Sequence, residues 1–247
     1  MTSLETSTFV IYDEVVEFSH AYQPIVDLSK REIYAYESLV RGPRGESPAH
    51  IFNEIPRSSR TAFELQNRAA SIRRAMSLRA EPFRLSLNFS ISCLISGTEI
   101  RQESIDSILE AGASFNNLII EITEADVIHG VAGLSEAINA LRALGATIAI
   151  DDFGAGYAGM NSLIEINPDI LKLDMFLIRG IEQSGTRQAA VRALFSLAED
   201  LGIDLIAEGV ETQAELNFLR DLGVELYQGY LIAKPGFNQL PHITWPD

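Results

Sequence analysis

The chain has a single cysteine, Cys93, which excludes an intrachain disulfide and any zinc cluster built on thiolates. It reads as a small buried hydrophobe. Histidine is scarce too. His20, His50, His129 and His242 are scattered and form no His-x-x-x-His pair. Any metal is therefore held mainly by oxygen, which points to Mg²⁺, Mn²⁺ or Ca²⁺ ahead of zinc. Basic residues are few, 19 Lys and Arg against 34 Asp and Glu, for a net charge of −15. That argues against polymeric nucleic acid, whose binding needs a basic stripe, and leaves open a small anion held through metal ions. No apolar run approaches the ~18 residues of a membrane span. The opening Met-Thr-Ser-Leu-Glu-Thr has no basic segment followed by an apolar core, so no secretory signal is expected. A cytoplasmic protein is the expectation. No Gly-x-Gly-x-x-Gly follows an early strand, which argues against a dinucleotide-cofactor fold.

What is present is a core-forming α/β pattern. With 47% hydrophobic and 21% charged residues, 247 residues suffice for one α/β barrel or two smaller domains. Residues 1–17 read as a lead segment before a domain over 18–247. Ala21–Asp27 and Ile33–Val40 are strand candidates joined as a hairpin over Leu28–Glu32, with Pro24 suggesting an edge or strand end. Residues 42–49 are a loop, and 49–55 and 61–80 are predicted helical, the latter with Phe63, Ile72 and Met76 on its apolar side. Strands are then predicted at Phe83–Phe89, Leu118–Thr123, Thr147–Ile150, Asp169–Asp174, Asp204–Glu208 and Val224–Tyr230. Helices fall between them, at 101–111, Leu134–Leu144, 158–166, Val191–Leu201 and 212–222. Such alternation means βαβ units and a mainly parallel sheet. Eight strands is the number of a TIM-type barrel; an open doubly wound sheet is the other architecture this pattern allows.

Polar residues sit late in these apolar runs: Glu37, Asn88, Glu121, Lys172, Glu208 and Gln228, with Asp151 and Asp152 where Thr147–Ile150 ends. An isolated Asp-Asp is commonly a turn or a helix N-cap. Here the pattern recurs on seven strands, and in a parallel barrel their C-terminal ends converge on one mouth. Glu37, Glu121, Asp151, Asp152 and Glu208 bring −5 and Lys172 brings +1. At −4 several carboxylates must protonate, whereas two divalent cations bring the sum to zero. Two-metal centres commonly hydrolyse phosphate esters. Arg41 is as well placed to bind a substrate phosphate as to be a surface arginine at a loop start. Lys172, within an apolar run, is either a structural ion pair or a group that orients water at the metals.

The stretches Tyr22-Gln-Pro-Ile25, Glu37-Ser-Leu-Val-Arg41, Leu87-Asn-Phe-Ser90 and Glu121-Ile-Thr-Glu124 occur in order. They are followed by Asp151-Asp-Phe-Gly-Ala-Gly-Tyr157, Lys172-Leu-Asp174, Ala207-Glu-Gly-Val-Glu-Thr212 and Gln228-Gly-Tyr230. In this order they resemble the EAL domain, the cyclic di-GMP phosphodiesterase family. The resemblance implies an α/β fold, a modified TIM-type (β/α)8 barrel with one antiparallel strand near the N-terminus. It implies hydrolysis of one phosphodiester of cyclic di-GMP to linear pGpG with two Mg²⁺ or Mn²⁺ ions, Ca²⁺ inhibiting. One metal falls to Glu37, Asn88, Glu121 and Asp151, the second to Asp151, Asp152 and Glu208. Lys172 orients the attacking water, Glu124 steadies the loop after Asp152, and Glu211 is a supporting acid. Gln23, Arg41, Asp152 and Gln228 are expected at the ligand. A homodimer and a separate sensor or regulatory protein are the partners implied. A non-catalytic EAL domain that binds cyclic di-GMP or a protein is the alternative. The chain departs from the family pattern at Ser38, where alanine is usual, at Ala155 for threonine, at Ala158 and Gly159 for a serine pair, and at Lys234 for arginine before Pro235. Residues 44–80 carry no recognised motif.

Overall fold

The computed structural model describes residues 6–11, 14–79, 83–95, 97–126, 132–156 and 159–246. His129, Tyr157, Ala158 and parts of the lead segment (1–5 and 12–13) lie outside the described residues.

The strands are β1 (Ser7–Ile11), β2 (Glu14–Asp27), β3 (Glu32–Arg41), β4 (Leu85–Asn88), β5 (Leu118–Thr123), β6 (Thr147–Phe153), β7 (Ile170–Leu173), β8 (Asp204–Ala207), β9 (Leu226–Tyr227) and β10 (Gly236–Phe237). β2 to β9 pair in sequence order, and β9 pairs back to β2, closing an eight-stranded barrel. β2 is antiparallel to both its neighbours, β3 and β9, and every other barrel pair is parallel. The expected barrel with one antiparallel strand is therefore the observed fold. Helices α1 (Pro48–Glu54), α2 (Arg60–Leu78), α3 (Ile91–Ile95), α4 (Thr98–Glu110), α5 (Leu134–Ala143), α6 (Gly159–Ile166), α7 (Met175–Ile178), α8 (Gly185–Leu201) and α9 (Gln213–Leu222) join the strands.

Side chains alternate faces along a strand, and this sorts the apolar residues into two cores. Ile120, Ile122, Ile148, Ile150, Leu171, Leu173 and Leu205 belong to the larger core, which takes in buried residues of α5, α8 and α9. Ile25, Ala35, Ile119, Ala149, Ile170, Ile206 and Leu226, one from each of seven strands, form a separate cluster inside the barrel, with Tyr34 packed against it. The remaining strand, β4, contributes the fully buried Ser86. This layer makes the barrel a packed core, not a pore.

Several elements differ from expectation. Residues 7–17 are strand where described, and β2 runs on through Phe18. Phe9, Ile11, Val16 and Phe18 form a third core with Ile51, Ile55 and Phe63, in which Phe63 meets Phe9 and Phe18 edge-on. Pro24 lies inside β2. The edge of β2 away from β3 pairs with β10 at Ala21 and Tyr22 and with β9 at Val26 and Asp27, so Pro24 falls in the gap where no donor is needed. Met76 is half exposed and is not part of the apolar side of α2. The last barrel strand stops at Tyr227, and just beyond it the Gly229 backbone lies so close to Val210 that a β-carbon would sit 2.0 Å from its carbonyl oxygen.

Candidate functional site

Two residues beyond the interior layer, the same alternation brings up the next ring of side chains. From Ala35, Ser86, Ile119, Ala149, Ile170, Ile206 and Leu226 it leads to Glu37, Asn88, Glu121, Asp151, Lys172, Glu208 and Gln228. On the antiparallel β2 the count runs backwards, from Ile25 to Gln23, which pairs with Glu37. The polar ring is thus the layer above the apolar plug, at the C-terminal mouth of the parallel strands.

Asp152 joins the ring by a local irregularity. Ile150 pairs with Leu171 and Phe153 with Leu173, so three steps on β6 oppose two on β7. The extra residue is a β-bulge, which re-aims side chains. Asp152 takes φ 55°, a left-handed conformation that aspartate tolerates better than most residues. Two adjacent aspartates can thereby serve one site, and both lie within β6 instead of after it. Glu124 holds the following turn: its Oε2 accepts the N–H groups of Gly154 (2.8 Å) and Gly156 (3.3 Å).

Lys172 is at the centre. Its Nζ lies 2.5 Å from Glu121 Oε1, 2.7 Å from Glu208 Oε1, 2.8 Å from Asp151 Oδ1 and 3.7 Å from Glu37 Oε2. Gln228 Nε2 donates to Glu37 Oε2 at 2.7 Å. One ammonium among five carboxylates leaves the ring acidic. Burial pushes the Glu121 carboxyl up to about 8, with the charges of Glu37 and Asp151 adding to the rise against Lys172. Asp152 rises to about 6 through burial and the nearby Asp151 and Asp174. Burial likewise drives Glu208 well above the usual carboxylate range. The burial that depresses an amine is outweighed at Lys172 by Asp151, Glu121 and Glu208, which raise it further.

The donor set fits divalent cations. Oxygens of Glu37, Glu121 and Asp151 come within 4.8 Å of one another, as do those of Asp151, Asp152 and Glu208. Asp151 is common to both groups. Glu121 Oε2 is buried with no hydrogen-bond partner among the described residues, as a ligand oxygen would be. Hard, oxygen-only sites of this kind suit Mg²⁺, Mn²⁺ or Ca²⁺.

Two clefts open above the ring and share Glu37 and Asp152. The larger, about 490 Å³, is also lined by Asn88, Ser38, Phe52, Glu64 and Arg68. The smaller, about 210 Å³, is lined by Gln23, Arg179, Glu208, Glu211 and Gln228 among others. Three of the expected residues make their polar contacts outside the carboxylate cluster. Gln23 Nε2 donates to the Ala233 carbonyl at 3.1 Å. Arg41 Nη1 donates to the Val40 carbonyl at 2.8 Å, and burial lowers its pKa against the support of Glu37. Glu211 Oε1 accepts from Arg179 Nη2 at 2.6 Å. Lys234 lies over the Tyr230 ring at 5.4 Å.

Sequence reading missed the contribution of α2. Arg68 is buried with its guanidinium 4.0 Å from the centre of the Phe89 ring, and Glu64 accepts from Ser90 Oγ (2.7 Å) and Cys93 Sγ (3.0 Å). Cys93 is buried as expected, though its thiol is also a donor. An arginine and a glutamate four apart on a helix look like an ordinary surface pair, so no sequence signal marked them. Ser38 is likewise tied to α2, its Oγ accepting from Ser71 Oγ at 2.6 Å. Ser38→Ala is expected to cost ~1 kcal/mol, a fall in melting temperature of about 2–4 °C, with turnover within about twofold of wild type. A tenfold or larger loss of turnover at unchanged stability would instead assign that hydroxyl to the ligand.

Known proteins are similar to this chain in sequence and fold. The EAL domain family model matches residues 13–235. The blue light- and temperature-regulated antirepressor BluF of Escherichia coli is 32% identical over 227 residues, 92% of this chain and 56% of that protein. The cyclic di-GMP phosphodiesterase RocR of Pseudomonas aeruginosa is 30% identical over 227 residues, 89% of this chain and 57% of that protein. The structure of Klebsiella pneumoniae BlrP1 in a calcium and cyclic di-GMP complex superposes with a TM-score of 0.86 at 37% identity, over 92% of this chain and 57% of that one. The chain thus spans a little over half the length of these relatives. It belongs to the EAL domain family.

Proposed function

We propose that this chain hydrolyses one phosphodiester bond of cyclic di-GMP to pGpG with two divalent cations, Mg²⁺ or Mn²⁺. The observation that carries this reading is the ring of five carboxylates around Lys172, with Asp151 common to two ligand groups. The name of RocR and the ligand in the BlrP1 complex support cyclic di-GMP as substrate. One ion would fall to Glu37, Asn88, Glu121 and Asp151, the other to Asp151, Asp152 and Glu208. When bound, the ions supply charge neutralisation at the phosphodiester and a more acidic water. Gln228 fixes the Glu37 carboxylate by its hydrogen bond. Lys172, held by three close carboxylates, orients the attacking water and offsets charge developing on phosphate. Glu124 fixes the bulge that presents Asp152 through the Gly154 and Gly156 amides. Gln23 and Arg41 act at the ligand, and Glu211 acts from the rim. The catalytic unit is 18–247, with Phe9, Ile11 and Val16 of the preceding segment packed against Ile51, Ile55 and Phe63 of the region of α1 and α2. A homodimer, a separate sensor and a cytoplasmic setting complete the proposal; no helix among the described residues is long and apolar enough to cross a membrane.

The deciding experiment is purified chain with cyclic di-GMP and Mg²⁺ or Mn²⁺, followed by product analysis. Appearance of pGpG supports the enzyme. Tight binding without product supports a ligand-binding or protein-interaction module instead, the reading that the antirepressor BluF favours. Ca²⁺ as the sole metal is expected to support binding and inhibit hydrolysis. It accepts about 6–8 oxygens in flexible geometry, where Mg²⁺ demands a near-octahedral shell. Turnover in Ca²⁺ equal to that in Mg²⁺ would contradict a tightly set two-ion centre.

A further inference from the structure

The smaller cleft has an unusual charge balance. Five carboxylates line it, those of Glu37, Asp152, Asp174, Glu208 and Glu211, and Arg179 is its one cation among the described residues. Glu37, Asp152 and Glu208 belong to the candidate metal groups. Asp174 caps α7, accepting from the Phe176 N–H at 2.7 Å. The Arg179 side chain, half exposed, gives one nitrogen to Glu211, and its guanidinium has no other hydrogen-bond partner among the described residues. A guanidinium carries five donors in a planar fork, so most remain free for a ligand.

Arg179 does not hold this position by itself. The carboxylate of Glu215, on α9, is buried. Its Oε1 accepts the N–H of Gly180 at 2.9 Å, and its Oε2 accepts the N–H groups of Glu211 and Thr212, each at 2.9 Å. Only the bond to Thr212 belongs to the capping box that starts α9. The other two bonds tie the turn carrying Arg179 to the loop carrying Glu211. Burial pushes the Glu215 carboxyl up, but these amides outweigh it and hold it below the usual range. The carboxylate is therefore a fixed ionic tie between the segments that follow β7 and β8, the strands that deliver Lys172 and Glu208.

Resting on the function proposed above, the ligand carries two phosphates, of which the metal centre and Lys172 engage the one that is cut. The other would gain from a cation, and Arg179 is the one that lines this cleft among the described residues, Arg41 not being part of its lining. We propose that Arg179 binds the phosphate that is not cut, and that Glu215 is the positioning residue that holds Arg179 at the cleft.

The test uses the full chain and cyclic di-GMP. Arg179→Gln is expected to raise KM about tenfold with kcat within about twofold, the signature of lost binding shared by ground and transition states. Its affinity in Ca²⁺ should fall in parallel and depend less steeply on salt, and Arg179→Lys should recover part of both. Glu215→Ala should reproduce the KM rise with Arg179 intact. If that variant does not fold, Glu215→Gln serves, because one amide oxygen cannot satisfy three N–H groups and one loop must be released. Wild-type KM in Arg179→Gln overturns the phosphate contact. Wild-type KM in the folded Glu215 variant, or a fall in kcat and melting temperature without a change in KM, overturns the positioning role. Wild-type protein that neither binds nor cuts cyclic di-GMP would refute the underlying function instead, which keeps the two failures distinct.

Discussion

Lys172→Met is expected to lower turnover per folded molecule by about 10²-fold or more while cyclic di-GMP still binds in Ca²⁺. The structure bears out the ion pair that a lysine within an apolar strand requires: the side chain is 1% exposed and Nζ lies within 2.8 Å of three carboxylates. Removing it leaves five carboxylates with no internal cation, so stability should fall too, by ~3–5 kcal/mol as for a broken buried pair. This loss should be largest in EDTA and smaller with metal, because ions that bind only the folded state restore stability. Stability and catalysis are separable on one preparation, by melting temperature, Ca²⁺-supported affinity and Mg²⁺-supported turnover. A purely structural lysine predicts turnover that tracks the folded fraction. Wild-type turnover per folded molecule would remove Lys172 from the chemistry.

Glu37→Ala is expected to abolish turnover with the opposite effect on stability. Glu37 lies at the mouth end of the polar ring and touches Gln228 at 2.7 Å and Lys172 only at 3.7 Å. Five carboxylates share one ammonium in the ring, and burial and mutual repulsion already push Glu121, Asp152 and Glu208 upward, so deleting one carboxylate relieves repulsion more than it breaks attraction. In EDTA the variant should melt at or above the wild-type temperature. In Mn²⁺ or Mg²⁺ it should gain less than wild type does, since a proposed ligand is gone. A folded variant with wild-type turnover would exclude Glu37 from metal binding. A melting temperature well below wild type in EDTA would show that its bond to Gln228 outweighs the repulsion.

Much of this was legible from residue order. The strand runs carry alternating side chains, so a polar residue two places beyond an interior one, such as Glu121 after Ile119 or Lys172 after Ile170, must face the same way. Seven of the eight predicted runs carry such a residue late in the strand, which outlines the ring from sequence alone. The parts that were not legible depend on contacts between distant segments. Residues 44–80 looked featureless, yet α2 places Arg68 against Phe89 and Glu64 against Ser90, because helix positions reveal their partners only once packed. Residues 1–17 looked like a lead, yet Phe9, Ile11 and Val16 have a core to bury in, supplied in part by the distant Phe63.

Local sequence by itself determined the eight strands of the barrel, the hairpin at its start, the acidic ring and its lysine, since a period of two and the cost of isolated buried charge act within a few residues. Tertiary structure alone decided how that ring is used. The bulge that turns Asp151 and Asp152 to one site exists only against β7. The sharing of Lys172 among Glu121, Asp151 and Glu208 exists only when β5 to β8 lie side by side. The tie from Glu215 to Gly180 spans 35 residues. Electrostatics and hydrogen bonds act over a few ångströms in space, and closure of the barrel brings residues from distant parts of the chain within that range.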